Sequence, residues 1–388
     1  MAEPRPERAG PERRTILVYR DRIVPRSEVH FLRRLYIGFE RLSPVWIGRH
    51  RGDGLADLGV EPLLLGGSGA RGGLDRSLFK HFGALPAQPD LRALRPGLVH
   101  AHFGRGGALA LPIARALRVP LVVTFHGGDA TKESHYRRRI PPTVFQRRLA
   151  ALQREAALFV CVSEYIRDRM LARGFPPDKL LVHRYGVELD DRGNSDRECA
   201  EEGRPVLFAG RFVEKKGAAV LLEAMRLLDP AIRPPLVLAG DGPEAETLRR
   251  IAAPLGNVEF TGWLPNDVLR QHMRRALALC VPSLAATDGD AEGLPNVVLE
   301  AMTEGAPVVA SRHAGIPEAV AHEATGLLVP PGDPEALAAA LRRLVRDPDL
   351  RQTLGKRARE IAAERFSATI QSRRLESIML NVIAGSPG

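Results

Sequence analysis

The chain is poor in cysteine and aromatic residues and has no long apolar run. Cys161, Cys199 and Cys280 are its only thiols in 388 residues. Their number is odd, and they are scattered without metal-ligand spacing. That argues against a disulfide framework and fits a reducing, cytoplasmic setting. Aromatic residues make up 5% of the chain, and no aromatic-studded RNA motif is present. Helix-turn-helix punctuation and zinc-finger spacing are missing as well, so nucleic acid is not an expected partner. No apolar stretch approaches the roughly 20 residues of a membrane-spanning helix. Residues 1–14 are polar and proline-rich, without the apolar centre of a signal peptide, and are expected to form a disordered tail. No Gly-x-Gly-x-x-Gly follows the first apolar run, Thr15–Tyr19, which disfavours a dinucleotide-dependent dehydrogenase.

What is present is alternation. Largely apolar runs of strand length, such as Gly97–His102, Pro120–Phe125, Ala157–Val162 and Lys179–His183, alternate with segments of helical spacing. Ser27–Arg41 also reads as helical. Residues 190–203 are polar and aperiodic, which marks a linker, and the alternation then restarts. Strands are expected at Pro205–Ala209, Pro235–Ala239, Val258–Phe260, Leu277–Val281 and Pro307–Ala310. This pattern predicts an α/β protein of two doubly wound Rossmann-like domains facing a cleft, with a parallel sheet in each. The expected division is a tail at 1–14, a domain at 15–189, a linker at 190–203, a second domain at 204–366 and a last helical segment at 367–388. Charge is uneven. Residues 1–190 carry 32 Lys and Arg against 19 Asp and Glu, whereas the remainder has 24 against 27. The basic half suggests an anionic partner, a membrane surface or a phosphate-bearing acceptor. Arg137–Arg139 lead into Pro141–Leu158, a basic amphipathic segment suited either to packing on its own domain or to peripheral contact with an anionic membrane.

Several turns at the ends of these strands carry residues suited to an anionic ligand. Glu292–Ser311 reads as a loop, a short helix begun at Pro295 and stopped at Gly305, and a buried strand. Glu292 and Glu300 frame it. Either glutamate alone would serve as favourable negative charge near a helix start; together they can accept from a sugar's hydroxyls and from a ribose diol. Arg211 and Lys216 project from the turn after Pro205–Ala209, where two fixed cations can hold a diphosphate as it leaves. Gly240-Asp241-Gly242-Pro243 is a tight turn that lets the backbone approach a ligand. Trp263 taken by itself fits ordinary domain packing. His126 ends the Pro120–Phe125 strand, and His102 is a weaker cleft candidate. Asp288-Gly289-Asp290 reads as an acidic loop rather than a metal clamp, so no metal ligand is assigned.

Taken in order, His126-Gly127, Gly210-Arg211…Lys216-Gly217, Gly240–Pro243 and Glu292…Glu300 resemble the signature of family 4 of the retaining glycosyltransferases, enzymes of GT-B architecture. The resemblance covers about residues 97–330. It implies a nucleotide-diphosphate sugar as donor, a UDP-sugar by preference, and no metal or other cofactor. It also implies a glycan, lipid-linked or small-molecule acceptor. Arg211 and Lys216 would hold the diphosphate, with Gly210, Gly240 and Gly242 shaping the turns. Glu292 with Gly293, Leu294, Asn296 and Val297 would face the sugar, Glu300 the ribose and Trp263 the base. His126 would face the sugar from the other domain, which makes His126, Arg211, Lys216 and Glu292 the catalytic candidates. The family's Gly-Gly loop after the first strand is replaced here by Arg20–Glu28, which has no glycine. The strings around Pro25–Glu28, His100–Gly104 and Asp290–Asn296 are similar to those of bacterial enzymes that build exopolysaccharides. The rival expectations are a phosphorylase or epimerase on the same architecture, and a scaffold subunit without chemistry.

Overall fold

A computed structural model describes residues 13–24, 30–55, 59–67, 69–189 and 203–385. The expected tail, apart from Arg13 and Arg14, and the linker, apart from Gly203, lie outside the described residues, as does Cys199. Two parallel sheets organise the rest. From edge to edge the first runs Leu63–Leu64, Leu42–Gly48, Arg14–Tyr19, Leu98–His102, Leu121–Phe125, Leu158–Cys161 and Leu180–Val182. The second runs Val258–Gly262, Leu236–Ala239, Val206–Ala209, Ala278–Val281, Val308–Ser311 and Leu327–Val329. The chain winds outward from the middle of each sheet in one direction and then in the other. Each sheet therefore has a switch point, between Arg14–Tyr19 and Leu98–His102 in the first and between Val206–Ala209 and Ala278–Val281 in the second. Helices cover both faces, which is why the central strands are almost wholly buried and, apart from His100, His102 and Thr124, apolar.

Local chemistry explains the element ends. The Ser163 hydroxyl accepts from the Ile166 N–H at the start of Glu164–Ala172, and Asp333 does the same for Pro334–Arg346. Pro295 precedes the helix Asn296–Thr303, and Gly305, with φ of 64°, turns the chain into Val308–Ser311. Phe103–Gly107 is rich in glycine yet almost all of it is helical. The helix Gly104–Leu117 already contains Gly104, Gly106 and Gly107, and a Cβ at Gly107 would sit 2.8 Å from Val123, so the glycine lets helix meet sheet.

Ser27–Arg41 departs most from its helical reading. Among its described residues, 30–41, only His30–Arg34 is helical, and the chain then turns into the strand Leu42–Gly48. A distant carboxylate fixes that turn: Glu376 Oε1 accepts the N–H groups of Glu40, Arg41 and Leu42 at 2.7–2.9 Å. Glu376 belongs to the helix Ala368–Ala384, which lies against the first domain; its Ser372 hydroxyl also accepts from Gly38 N–H and donates to the Leu35 carbonyl.

Candidate active site

The carboxyl ends of the two sheets meet. In the second domain the turns after adjacent strands are stitched backbone to backbone. The Gly210 N–H donates to the Ala239 carbonyl and the Gly240 N–H to the Gly262 carbonyl, at 2.9 and 2.8 Å. Gly240 has φ of 146°, and a Cβ there would run into the Gly210 carbonyl. Only glycine permits this approach. The turns bring Lys216 to Glu292, with Nζ 3.1 Å from Oε1. Lys215 joins them, 3.6 Å from Glu292 and 3.1 Å from Asp290. Burial alone would push the Glu292 carboxyl up; Lys216 and Lys215 outweigh it and hold the group below the usual carboxylate range. Arg211 stands exposed at the rim of the same turn.

The Asp288–Asp290 loop ties the two domains together. Lys132, from the first domain, lies 3.2 Å from both carboxylates, so lysines of both domains neutralise Asp290. The Ala291 N–H donates to the Thr131 hydroxyl at 3.0 Å. A Cβ on Gly293 would collide with the His126 carbonyl oxygen and approach Val162 to 2.8 Å. The His126 carbonyl is thus seated against the loop that follows Glu292. The His126 ring is turned away into its own domain, where Nε2 faces His102 Nδ1 at 3.1 Å and Nδ1 meets the Tyr185 hydroxyl.

Glu300 sits eight positions on, near the start of Asn296–Thr303. Its Oε1 accepts from Arg34 at 2.8 Å and from Asn266 at 3.4 Å. Leu294 is buried beside the loop, while Asn296 and Val297 are partly exposed. Trp263 is 57% exposed, so it is not part of the packed interior. His102 is fully buried and not on the cleft surface.

The structure therefore gathers Lys216, Glu292, Gly293 and the His126 carbonyl at one place. It adds Lys215, Arg34, Asn266 and Tyr185, which sequence reasoning missed. Lys215 could have been found as the neighbour of Lys216; Arg34 comes from an element whose proximity no sequence spacing encodes. A cavity of about 740 Å³, lined by Arg204, Leu277, Pro307 and Lys356 among others, opens at the opposite, amino ends of the second sheet. It is remote from the motif residues, and in sheets of this kind ligands bind at the carboxyl ends.

Comparison with known proteins accords with this geometry. Residues 194–361 match the family model described as glycosyl transferases group 1, and residues 50–191 match that of glycosyltransferase family 4. The amylovoran biosynthesis glycosyltransferase AmsK of Erwinia amylovora is 32% identical over 289 residues, covering 68% of each chain. The putative colanic acid biosynthesis glycosyltransferase WcaL of Salmonella typhimurium is 33% identical over 296 residues, covering 73% of this chain and 70% of its own. Among solved structures, Anabaena HepE in complex with UDP and glucose superposes with a TM-score of 0.77. It is 21% identical and covers 95% of this chain and 100% of its own, a likeness of fold. With two opposed parallel-sheet domains, four motifs in register and these relatives, the chain belongs to the family 4, group 1 glycosyltransferases of GT-B fold.

Proposed function

We propose that this protein transfers a hexosyl unit, with retention, from a UDP-sugar to a hydroxyl of a glycan or lipid-linked acceptor in the synthesis of a bacterial surface polysaccharide. The observation that carries the reading is the Lys216–Glu292–Lys215 cluster, set against the His126 carbonyl with Glu300 eight residues away. The names of AmsK and WcaL support the polysaccharide setting, and the UDP and glucose bound to HepE support the donor.

The roles follow from the chemistry of each group. An ammonium has three donors, so Lys216 can hold Glu292 with one and a diphosphate oxygen with the others. Arg211, at the rim, offers a planar fork to the second phosphate. These cations stabilise the charge that develops as the diphosphate leaves. Glu292, committed to two lysines, orients sugar hydroxyls and is not the attacking group. Glu300 reads the ribose, and Trp263 lies beside the base. The leaving diphosphate takes the acceptor's proton on the same face, which accounts for retention without a protein nucleophile. The contact of His126 with Gly293 closes the site against water. The protein would work at the inner face of the membrane, and no described helix is long and apolar enough to cross it.

A thermal-shift panel of nucleoside diphosphates tests the donor site. A ligand at 100 times its dissociation constant adds about 2.7 kcal/mol, a readily measured shift. UDP is expected to stabilise the wild type but neither Lys216→Ala nor Glu300→Ala. A shift with none of the diphosphates, or an equal shift in both variants, would remove the reading's main support.

A further inference from the structure

Three histidines, two tyrosines and a threonine form one unbroken hydrogen-bonded chain inside the first domain. Thr124 Oγ1 lies 2.7 Å from His100 Nε2, and His100 Nδ1 lies 2.6 Å from the Tyr36 hydroxyl. The same hydroxyl lies 2.7 Å from His102 Nε2. His102 Nδ1 faces His126 Nε2 at 3.1 Å, and His126 Nδ1 meets the Tyr185 hydroxyl. His100, His102, Tyr36, Tyr185 and Thr124 are buried, and burial holds all three imidazoles neutral at ordinary pH. The chain starts within the sheet and ends at Tyr185, whose ring stacks on His126 with centroids 5.7 Å apart and packs against Phe31. Its link to the donor turn, the loop Glu292–Leu294, is His126, whose carbonyl is seated against Gly293.

Proton counting restricts this chain severely. A neutral imidazole has one N–H and each hydroxyl one O–H, so every group donates to one side only. A link with no proton, or with two, is not a hydrogen bond. If one group donates toward Tyr185, its neighbour must do the same, and so on to the end. Two arrangements remain: all three rings carry the proton on Nε2, or all three carry it on Nδ1. In the first the Tyr185 hydroxyl donates to His126; in the second it accepts from His126 and its own proton is free to point elsewhere.

We propose that Tyr36 is a positioning residue for glycosyl transfer, linking the tautomer of His126 at the donor turn, and the direction of the Tyr185 hydroxyl, to His102 and His100. The role rests on the donor site assigned above. A fully satisfied polar network could also serve only to fix the packing of the core, and the two roles differ in what a ligand does. If the chain acts as one unit, occupation of the donor turn selects one proton order, and His100 at the far end responds.

Nitrogen-15 spectra of the imidazole rings in the full-length protein read this directly. His183 is the internal control: its Nε2 lies 2.8 Å from the Gln371 carbonyl, which can only accept, so it carries the Nε2 proton and stands outside the chain. The ligand-free protein is expected to show His100, His102 and His126 in the same tautomer. UDP, with occupancy checked by calorimetry, should shift His100 in the wild type but not in Tyr36→Phe, and His183 in neither. Mixed tautomers among the three rings would overturn the chain, and this reading needs no variant to fold. A silent His100 with UDP bound, or a response that survives in Tyr36→Phe, would overturn the positioning role. If neither UDP nor GDP, ADP or CDP binds, the donor assignment fails and the positioning role falls with it, while the shared tautomer still decides whether the chain exists.

Discussion

At the scale of single residues, the site is built from carboxylates already paired with cations before any donor arrives. Glu300 is held by Arg34 from the opposite domain, and both are nearly inaccessible to water. Removing one partner of such a pair strands a buried charge and costs about 3–5 kcal/mol. Arg34→Met is therefore expected to lower the urea midpoint strongly, and Arg34→Met/Glu300→Gln to recover most of the loss. A single variant as stable as the wild type would refute the pairing. Glu292 gives a prediction in pH. Its folded carboxyl titrates below its unfolded value, with burial opposing the shift and Lys216 and Lys215 overcoming it. Its contribution to stability is present above the unfolded value, about 4.3, and disappears as pH falls through the lower folded value. The stability gap between wild type and Glu292→Gln should then be widest near neutral pH and should close in acid. A gap independent of pH would show that the lysines do not favour the ionised form.

At the scale of elements, the loop Ala291–Leu294 and the turn His126–Gly127 form the contact that closes the site. Gly293 leaves no room for a methyl group between the His126 carbonyl and Val162. Gly293→Ala should push the two turns apart. A displacement of about 1 Å at a reacting centre costs on the order of 10²-fold in rate, so donor turnover should fall by that order. Gly106→Ala is the matched control: nothing lies within 4 Å of the added atom, and alanine favours a helix by about 0.5–1 kcal/mol. Equal turnover in both variants would mean that the contact is not needed for transfer. A second clasp lies beside the first, where Gly315 packs against Gly293 and Ser163. Glu318 of the second domain accepts the N–H groups of Glu164 and Tyr165, the start of a first-domain helix, and pairs with Arg184 at 2.6 Å. Negative charge there also meets the positive end of the helix. Both clasps join residues more than 130 positions apart in sequence.

At the scale of the whole molecule, the surplus of positive charge in the first half is matched by an unusual surface. The amphipathic helix Val144–Glu155 buries Val144, Phe145 and Leu152 in its own domain, so its apolar face is not available to a membrane. Just before it, Arg137–Arg139 are exposed and Ile140 is 91% exposed. Nearby, the helix Gly69–Phe82 turns Leu74, Leu78 and Phe82 outward along one stripe, with Phe82 81% exposed. Arg148 ties the two helices together through the Lys80 carbonyl and also reaches the Ala108 carbonyl of the helix Gly104–Leu117. Apolar tips among arginines suit an anionic bilayer. Vesicles containing phosphatidylglycerol should co-float with the protein, less so as salt rises. Vesicles of phosphatidylcholine alone should not, and Phe82→Asp/Ile140→Asp should lose the effect. Equal binding to both lipids would refute the docking surface.

The sequence by itself determined the parallel two-domain architecture and the motifs at the strand ends. Those signals are local: apolar runs of strand length, helix caps such as Ser163 and Asp333, and paired residues such as Glu292 and Glu300 whose spacing survives folding unchanged. Only the tertiary structure decided which groups meet them. Arg34 reaches Glu300, and Tyr36 bridges His100 and His102, because the helix His30–Arg34 and the turn after it lead into Glu40–Leu42, which Glu376 holds from more than 330 positions away. No period or spacing encodes such contacts, since they arise from the packing of the two domains and the returning helix. For the same reason the described part of the segment that reads as one helix over 27–41 becomes a short helix and a turn. Its hydrogen bonds are taken up by a distant carboxylate and a neighbouring sheet, and those partners exist only once the chain has folded.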